Sequence, residues 1–214
     1  LQGTMTSPAI GPATAWSFVS WTPDISVAGT NITMNVLGFN KKLAQWETLF
    51  SGFSNFTQEN LTTINARSYP LIKLQATLFD DDGRNTPLLK DWSVAYVPVP
   101  DPAIAPNVVS LSADTLMEND ELKLEARVYN VGMIVADTVK IRFSVNTPDS
   151  GKIRLGEDRI LTDIPIDSFK IVTQTWIPSG RIGKNQIFIE VDPDDQLNEL
   201  TEANNYFSAP ILVL

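Results

Sequence analysis

The sequence predicts an all-β protein: two β-sandwich domains in tandem, the second immunoglobulin-like with seven strands. Three observations carry that expectation. Apolar and polar residues alternate with a period of two through many short segments, which gives each segment one core-facing side. Fourteen prolines and eleven glycines punctuate those segments, and such residues end strands and form turns. Pro98-Val99-Pro100-Asp101-Pro102, with Pro106 close behind, forms a stiff extended connector. It divides 214 residues into a domain at 1–101 and a domain at 102–214, each of ordinary size.

In the first domain, Gly11 to Trp21 reads as a strand with Trp16, Phe18 and Ser20 on one face and Ser17, Val19 and Trp21 on the other. Thr22-Pro23-Asp24 ends it. Thr30 to Leu37 alternates cleanly, with Ile32, Met34 and Val36 on the apolar side. Gly38 to Gln45 is a polar turn, and Trp46 to Phe50 opens a short strand. Ser51 to Ser68 reads as a loop with one helical turn near Ala66. Leu71 to Phe79 aligns Ile72, Leu74, Ala76 and Leu78. After the turn Asp80 to Asn85, Asp91 to Pro98 sets Trp92, Val94 and Tyr96 against Ser93, Ala95 and Val97.

Seven strand candidates follow in the second domain: 107–112, 121–130, 138–146, 152–161, 169–177, 185–192 and 206–213. That spacing suits an immunoglobulin-like sandwich. Leu122, Leu124, Ala126 and Val128 share a face, as do Val139, Ile141, Phe143 and Val145. Without cysteine no inter-sheet disulfide can form, and Trp176 is the candidate core plug.

The segment Gln186 to Phe207 ends a strand at Asp192-Pro193 and returns through an acidic, amide-rich turn. Its pattern V-D-P-x-x-x-x-x-E-x-x-E-x-N-N resembles the closing motif of CARDB-type domains, an immunoglobulin-like family of bacterial and archaeal surface proteins. Val128-Tyr129-Asn130-Val131-Gly132, with Ala136 after it, is similar to that family's v-x-N-x-G…a segment. The resemblance covers roughly Ala103 to Leu214 and implies a fold and a setting at the cell surface, not a reaction. The first half, through Trp16, Val19, Gly29-Thr30, Trp46, Tyr69-Pro70-Leu71, Thr86-Pro87 and Asp91-Trp92-Ser93-Val94, resembles a β-sandwich module of large exported Bacteroidetes proteins. In some of those it follows a peptidase domain of the gingipain type, and no peptidase motif occurs in this chain.

Composition narrows function further. Histidine and cysteine are both absent, which removes Cys/His and Ser/His/Asp catalysis, thiolate or imidazole metal sites and the usual neutral-pH base. The net charge is −9, with six Lys/Arg against eight Asp/Glu up to Asp101 and ten against seventeen thereafter. No basic cluster suits a phosphate backbone, so no nucleic-acid partner is expected. No apolar run is long enough to span a bilayer as a helix, so no membrane insertion is expected. The start lacks the basic and apolar regions of a signal peptide, and the chain reads as a fragment of a larger protein.

Four features could carry chemistry. The turn Asp192 to Asn205 offers the oxygen ligands that calcium takes. The favoured alternative has Asp192, Asn204 and Asn205 capping backbone N–H groups while the glutamates face water. Asp80-x-Asp82-Gly83-x-Asn85 shares a fragment with calcium loops but lacks the twelfth-position glutamate, and reads as a hairpin turn. Trp16, Trp21, Trp46, Trp92, Tyr69 and Tyr96 could stack on sugars or fill the core, and core is favoured for most. The sequons at Asn31, Asn55 and Asn60 read as incidental in a bacterial host. No catalytic, cofactor-binding or metal-ligating residue is assigned, and no cofactor is expected.

The resulting expectation is a non-catalytic structural or adhesion module of a secreted or cell-surface protein. Its partners would be other domains of the same chain, a surface protein or a polysaccharide. The alternatives are a carbohydrate-binding module and the accessory region of an exported peptidase.

Overall fold

A computed structural model describes residues 1–26, 28–54, 57–148 and 150–214. The sequon at Asn55 lies outside them. Apart from one 3-10 turn, the regular structure of the described chain is strand, and the chain divides into two compact units, Leu1–Pro98 and Val99–Leu214.

The first unit contains β1 (Gln2–Thr6), β2 (Ala15–Asp24), β3 (Thr30–Asn40), β4 (Gln45–Phe53), β5 (Gln58–Asn60), β6 (Ile72–Asp80) and β7 (Leu88–Val97). They form two antiparallel sheets of order β1-β6-β3-β4 and β5-β2-β7. Between them lie Trp16, Val19 and Trp21 from β2, Ile32, Met34 and Val36 from β3, and Ile72, Leu74 and Ala76 from β6. The loop after β5 closes this core with Leu61, Ile64 and Ala66. One turn there, with the Tyr69 amide donating to the Asn65 carbonyl at 2.9 Å, matches the expected helical turn.

The two faces of β2 differ from strict alternation. Trp16 pairs with Tyr96 and Phe18 with Ala95, so Ser17 is an extra residue forming a bulge. The slip places Trp16 on the buried side with Val19 and Trp21, and leaves Phe18 39% exposed. The strand also runs on through Thr22-Pro23-Asp24 after a second register shift at Thr22/Pro23. Asp80 to Asn85 is a turn but not a hairpin, because β6 and β7 belong to different sheets and the chain crosses between layers there.

The second unit contains β8 (Pro102–Ala103), a 3-10 turn at Pro106–Val108, β9 (Val109–Leu111), β10 (Thr115–Leu116), β11 (Leu122–Asn130), β12 (Ala136–Thr147), β13 (Gly151–Arg154), β14 (Arg159–Ile164), β15 (Ser168–Trp176), β16 (Gly183–Val191) and β17 (Tyr206–Val213). One sheet runs β10-β17-β16-β12-β13, with β14 also on β12; in the other, β11 pairs with β15, β8 and β9. The core between them takes the alternating residues of β11 and β12 together with Ile187, Ile189 and Val191, and includes Trp176 at 7% exposure.

The expected strand 152–161 is two strands. Gly156 adopts φ +79°, a left-handed conformation that side chains disfavour. The break lets β13 pair with Ser144–Thr147 and β14 with Ala136–Ile141. Two-residue β8 and β10 are too short for any periodicity to announce.

Candidate functional site

Asn130, at the end of β11, shows how this unit spends its conspicuous polar residues. It is fully buried, and its Oδ1 accepts hydrogen bonds from the Asp101 and Gly132 amides, both at 3.1 Å. Its Nδ2 donates to the carbonyls of Ile134 (2.7 Å) and Ile164 (3.0 Å). Gly132 is required by contact, since a Cβ there would lie 2.3 Å from the Asp101 nitrogen. The N-x-G pair is therefore a joint that clasps the start of the unit against the β11–β12 loop.

The turn 192–205 begins where Asp192, buried at 5% exposure, stops β16 at φ +40°. Its Oδ2 accepts the Leu197 amide at 2.7 Å, so this residue caps the turn as expected. Leu197 packs against the core and draws the following residues inward.

The other expectations for the turn change. Glu199 does not face water: it is 7% exposed. Asn204 and Asn205 direct their amides at carboxylates rather than capping N–H groups. Asn205 Nδ2 donates to Glu199 Oε2 at 2.8 Å and Glu202 Oε2 at 2.9 Å, and Asn204 Nδ2 to Asp101 Oδ1 at 3.2 Å. The Ile104 amide donates to the Asn204 carbonyl at 2.8 Å, tying the turn to the unit's first residues. Glu199 Oε1, Asn204 Oδ1 and Asn205 Oδ1 are buried without a hydrogen-bond partner.

Burial pushes the Glu199 carboxyl up to about 8, aided by the negative charges of Glu202, Asp192 and Asp101 and opposed by the Asn205 amide. Asp101 is raised as well, first by burial, against the hydrogen bonds from Asn204 and the Thr201 backbone. The motif residues thus converge on one buried, acidic, oxygen-rich point. The E-x-x-E-x-N-N spacing was the visible signal, but it did not mark Glu199 as buried.

Beside it, Arg142 on β12 binds Asp158 with two hydrogen bonds, Nε at 2.9 Å and Nη2 at 2.7 Å, and Asp194 at 3.0 Å. Lys140 reaches Asp194 at 2.6 Å. These pairs hold both carboxyls below the ordinary carboxylate range, in each case chiefly through the hydrogen bonds from the cations.

The remaining candidates resolve differently. Asp80, Asp81 and Asp82 bring carboxylate oxygens within 4.8 Å of one another. Asp80 accepts the Asn85 amide at 2.8 Å and Asp82 the Arg84 amide at 2.9 Å, so both serve as turn caps. Trp16, Trp21 and Trp176 are buried, and Trp92 packs against the first core. Trp46 is half-buried beside Phe39, with Lys73 Nζ 4.4 Å from its ring centroid. Tyr69 donates to Glu47 at 2.8 Å, and Tyr96 packs on Trp16. Asn60 is exposed and Asn31 half-buried. Among the described residues no helix is long and apolar enough to cross a membrane.

A family model described as CARDB matches residues 100–209. No curated protein matches the chain. Among solved structures, a CARDB domain from Pyrococcus furiosus, in complex with di-metal ions, is 23% identical, with a TM-score of 0.45, 54% of this chain covered and 94% of that one. A domain of a candidate cell surface protein from Methanosarcina acetivorans is 22% identical, with a TM-score of 0.42 and coverages of 54% and 93%. A candidate β-galactosidase from Bacteroides fragilis is 10% identical, with a TM-score of 0.40, covering 92% of this chain and 33% of that one.

Proposed function

The chain belongs to the CARDB family through its residues 100–209, and on that premise we propose that it is a non-catalytic structural or adhesion module of a larger secreted or cell-surface protein. The observation that supports this most directly is what the motif residues do. Asn130 spends all its hydrogen-bonding capacity on loop backbones, and Gly132 exists to let Pro100-Asp101 pass. Those residues build a rigid joint rather than a reactive centre. Its partners are neighbouring domains of the same chain and a surface protein or polysaccharide.

The test combines turnover and ligand assays on the purified chain. Glycosidase and peptidase substrate panels are expected to show no turnover. Tryptophan emission is expected to be blue-shifted and poorly quenched by acrylamide, and unchanged by a polysaccharide panel. Turnover of any substrate would overturn the non-catalytic reading. Protection of Trp46 or Trp92, the two half-buried tryptophans, by one glycan would move the assignment to carbohydrate binding.

A further inference from the structure

We infer that the turn 192–205, together with Asp101, is a binding site for one hard divalent cation of the calcium class. Acidic clusters are common on surfaces and mean little alone. This one differs because three of its oxygens are buried and unpartnered. Glu199 and Asn205 are 7% and 8% exposed, and each keeps one side-chain oxygen with no hydrogen-bond donor; Asn204 Oδ1 is a third. An orphaned buried oxygen of this kind is costly, and most native ones have a partner.

The surrounding charges do not supply that partner. Those that act on Glu199 are Glu202, Asp192 and Asp101, all of its own sign. A proton can satisfy one carboxylate, whereas a divalent cation can satisfy several carboxylates and amide oxygens together.

The geometry shows where the ion would sit. Asn205 Nδ2 lies 2.8 Å from Glu199 Oε2 and 2.9 Å from Glu202 Oε2, bridging two carboxylates as a cation would. Which end of an amide is nitrogen is assigned from its hydrogen bonds. Turned over around a bound ion, Asn205 presents Oδ1 to the same point and adds a third oxygen ligand. Asn204 Oδ1 and Asp101, held together by their 3.2 Å hydrogen bond, are the next oxygens available. Exposed Glu202 leaves the site open to solvent, so water can complete the shell.

The donor set selects the ion. With no histidine or cysteine in the chain, the softer sites of zinc and copper are excluded. An irregular turn of carboxylates and amides suits calcium's flexible coordination better than the strict octahedron of magnesium.

The experiment strips the full chain with chelator, then titrates calcium by calorimetry and follows thermal unfolding. One calcium should bind per chain with Kd on the order of 10⁻³ M or tighter, and the unfolding midpoint should rise. Magnesium should bind at least about tenfold more weakly. Glu202→Gln, at an exposed position, should fold normally and weaken calcium about tenfold or more, since it removes one charged ligand. Glu199→Gln should abolish binding. Asp80→Asn with Asp82→Asn should leave it unchanged. Absence of both heat and thermal shift at millimolar calcium would overturn the inference, as would binding that persists in both glutamate variants.

Discussion

Asn130 is the residue on which the second unit turns. Its four hydrogen bonds join the chain near Asp101, the β11–β12 loop and the end of β14. Alanine there would strand two buried amides, the buried Ile164 carbonyl and the part-buried Ile134 carbonyl. Each orphaned group costs roughly 1–3 kcal/mol, with partial relief from entering water. Asn130→Ala is expected to destabilise the unit by about 3–5 kcal/mol, read as a lower urea midpoint with an unchanged slope. Aspartate would keep the acceptor and lose the donor, and should fare little better. The N-x-G spelling was legible in the sequence, but its four partners were not. They come from segments as far as thirty-four residues away, and no local pattern encodes them. Glu199 teaches the same lesson in reverse, because an acid in a polar turn reads as solvated, whereas the fold buries it.

At the scale of elements, period-two alternation located nearly every strand longer than three residues, because one buried face leaves a direct imprint on residue order. It gave no sign of β1, whose five residues are all exposed and so carry no buried face, and it failed where the strand itself is irregular. Ser17 shifts the buried face of β2 by one position, so Trp16 joins Val19 and Trp21. Gly156 cuts one expected strand into β13 and β14. That cut leaves Asp158 within reach of Arg142, which also holds Asp194 in the acidic turn. The central strand β12 is thereby bound electrostatically to both neighbouring connections. Asp158 and Asp194 have folded-state pKa values depressed below the ordinary 3.8. Their contribution is present above that value and is lost as pH falls through the lower folded values. The unfolding midpoint of Arg142→Gln should therefore lie below wild type above about pH 5, with the gap narrowing as the pH falls below 3.8. A gap independent of pH would show that Arg142 stabilises the fold otherwise than through the charges of Asp158 and Asp194.

Across the whole molecule, each unit has its own hydrophobic core, and none of the residues in one core belongs to the other. A fragment comprising Val99–Leu214 is expected to fold alone, with dispersed amide resonances and the same sensitivity to Asn130→Ala; a collapsed spectrum would refute it. Residues 99–104 also set how that unit would behave under tension. Backbone bonds run from Val131 to the Asp101 carbonyl (2.9 Å), from Met133 to the Val99 carbonyl (3.0 Å) and from Ile104 to the Asn204 carbonyl (2.8 Å). The Asp101 amide adds its bond to Asn130, and its carboxylate receives one from Asn204. A pull on Val99 therefore meets five bonds distributed over the β11–β12 loop and the acidic turn. The lead segment behaves as a seat-belt anchor, spreading a load over the β11–β12 loop and the acidic turn as well as over the end of β11, where Pro102 and Ala103 pair with Asn130 and Tyr129.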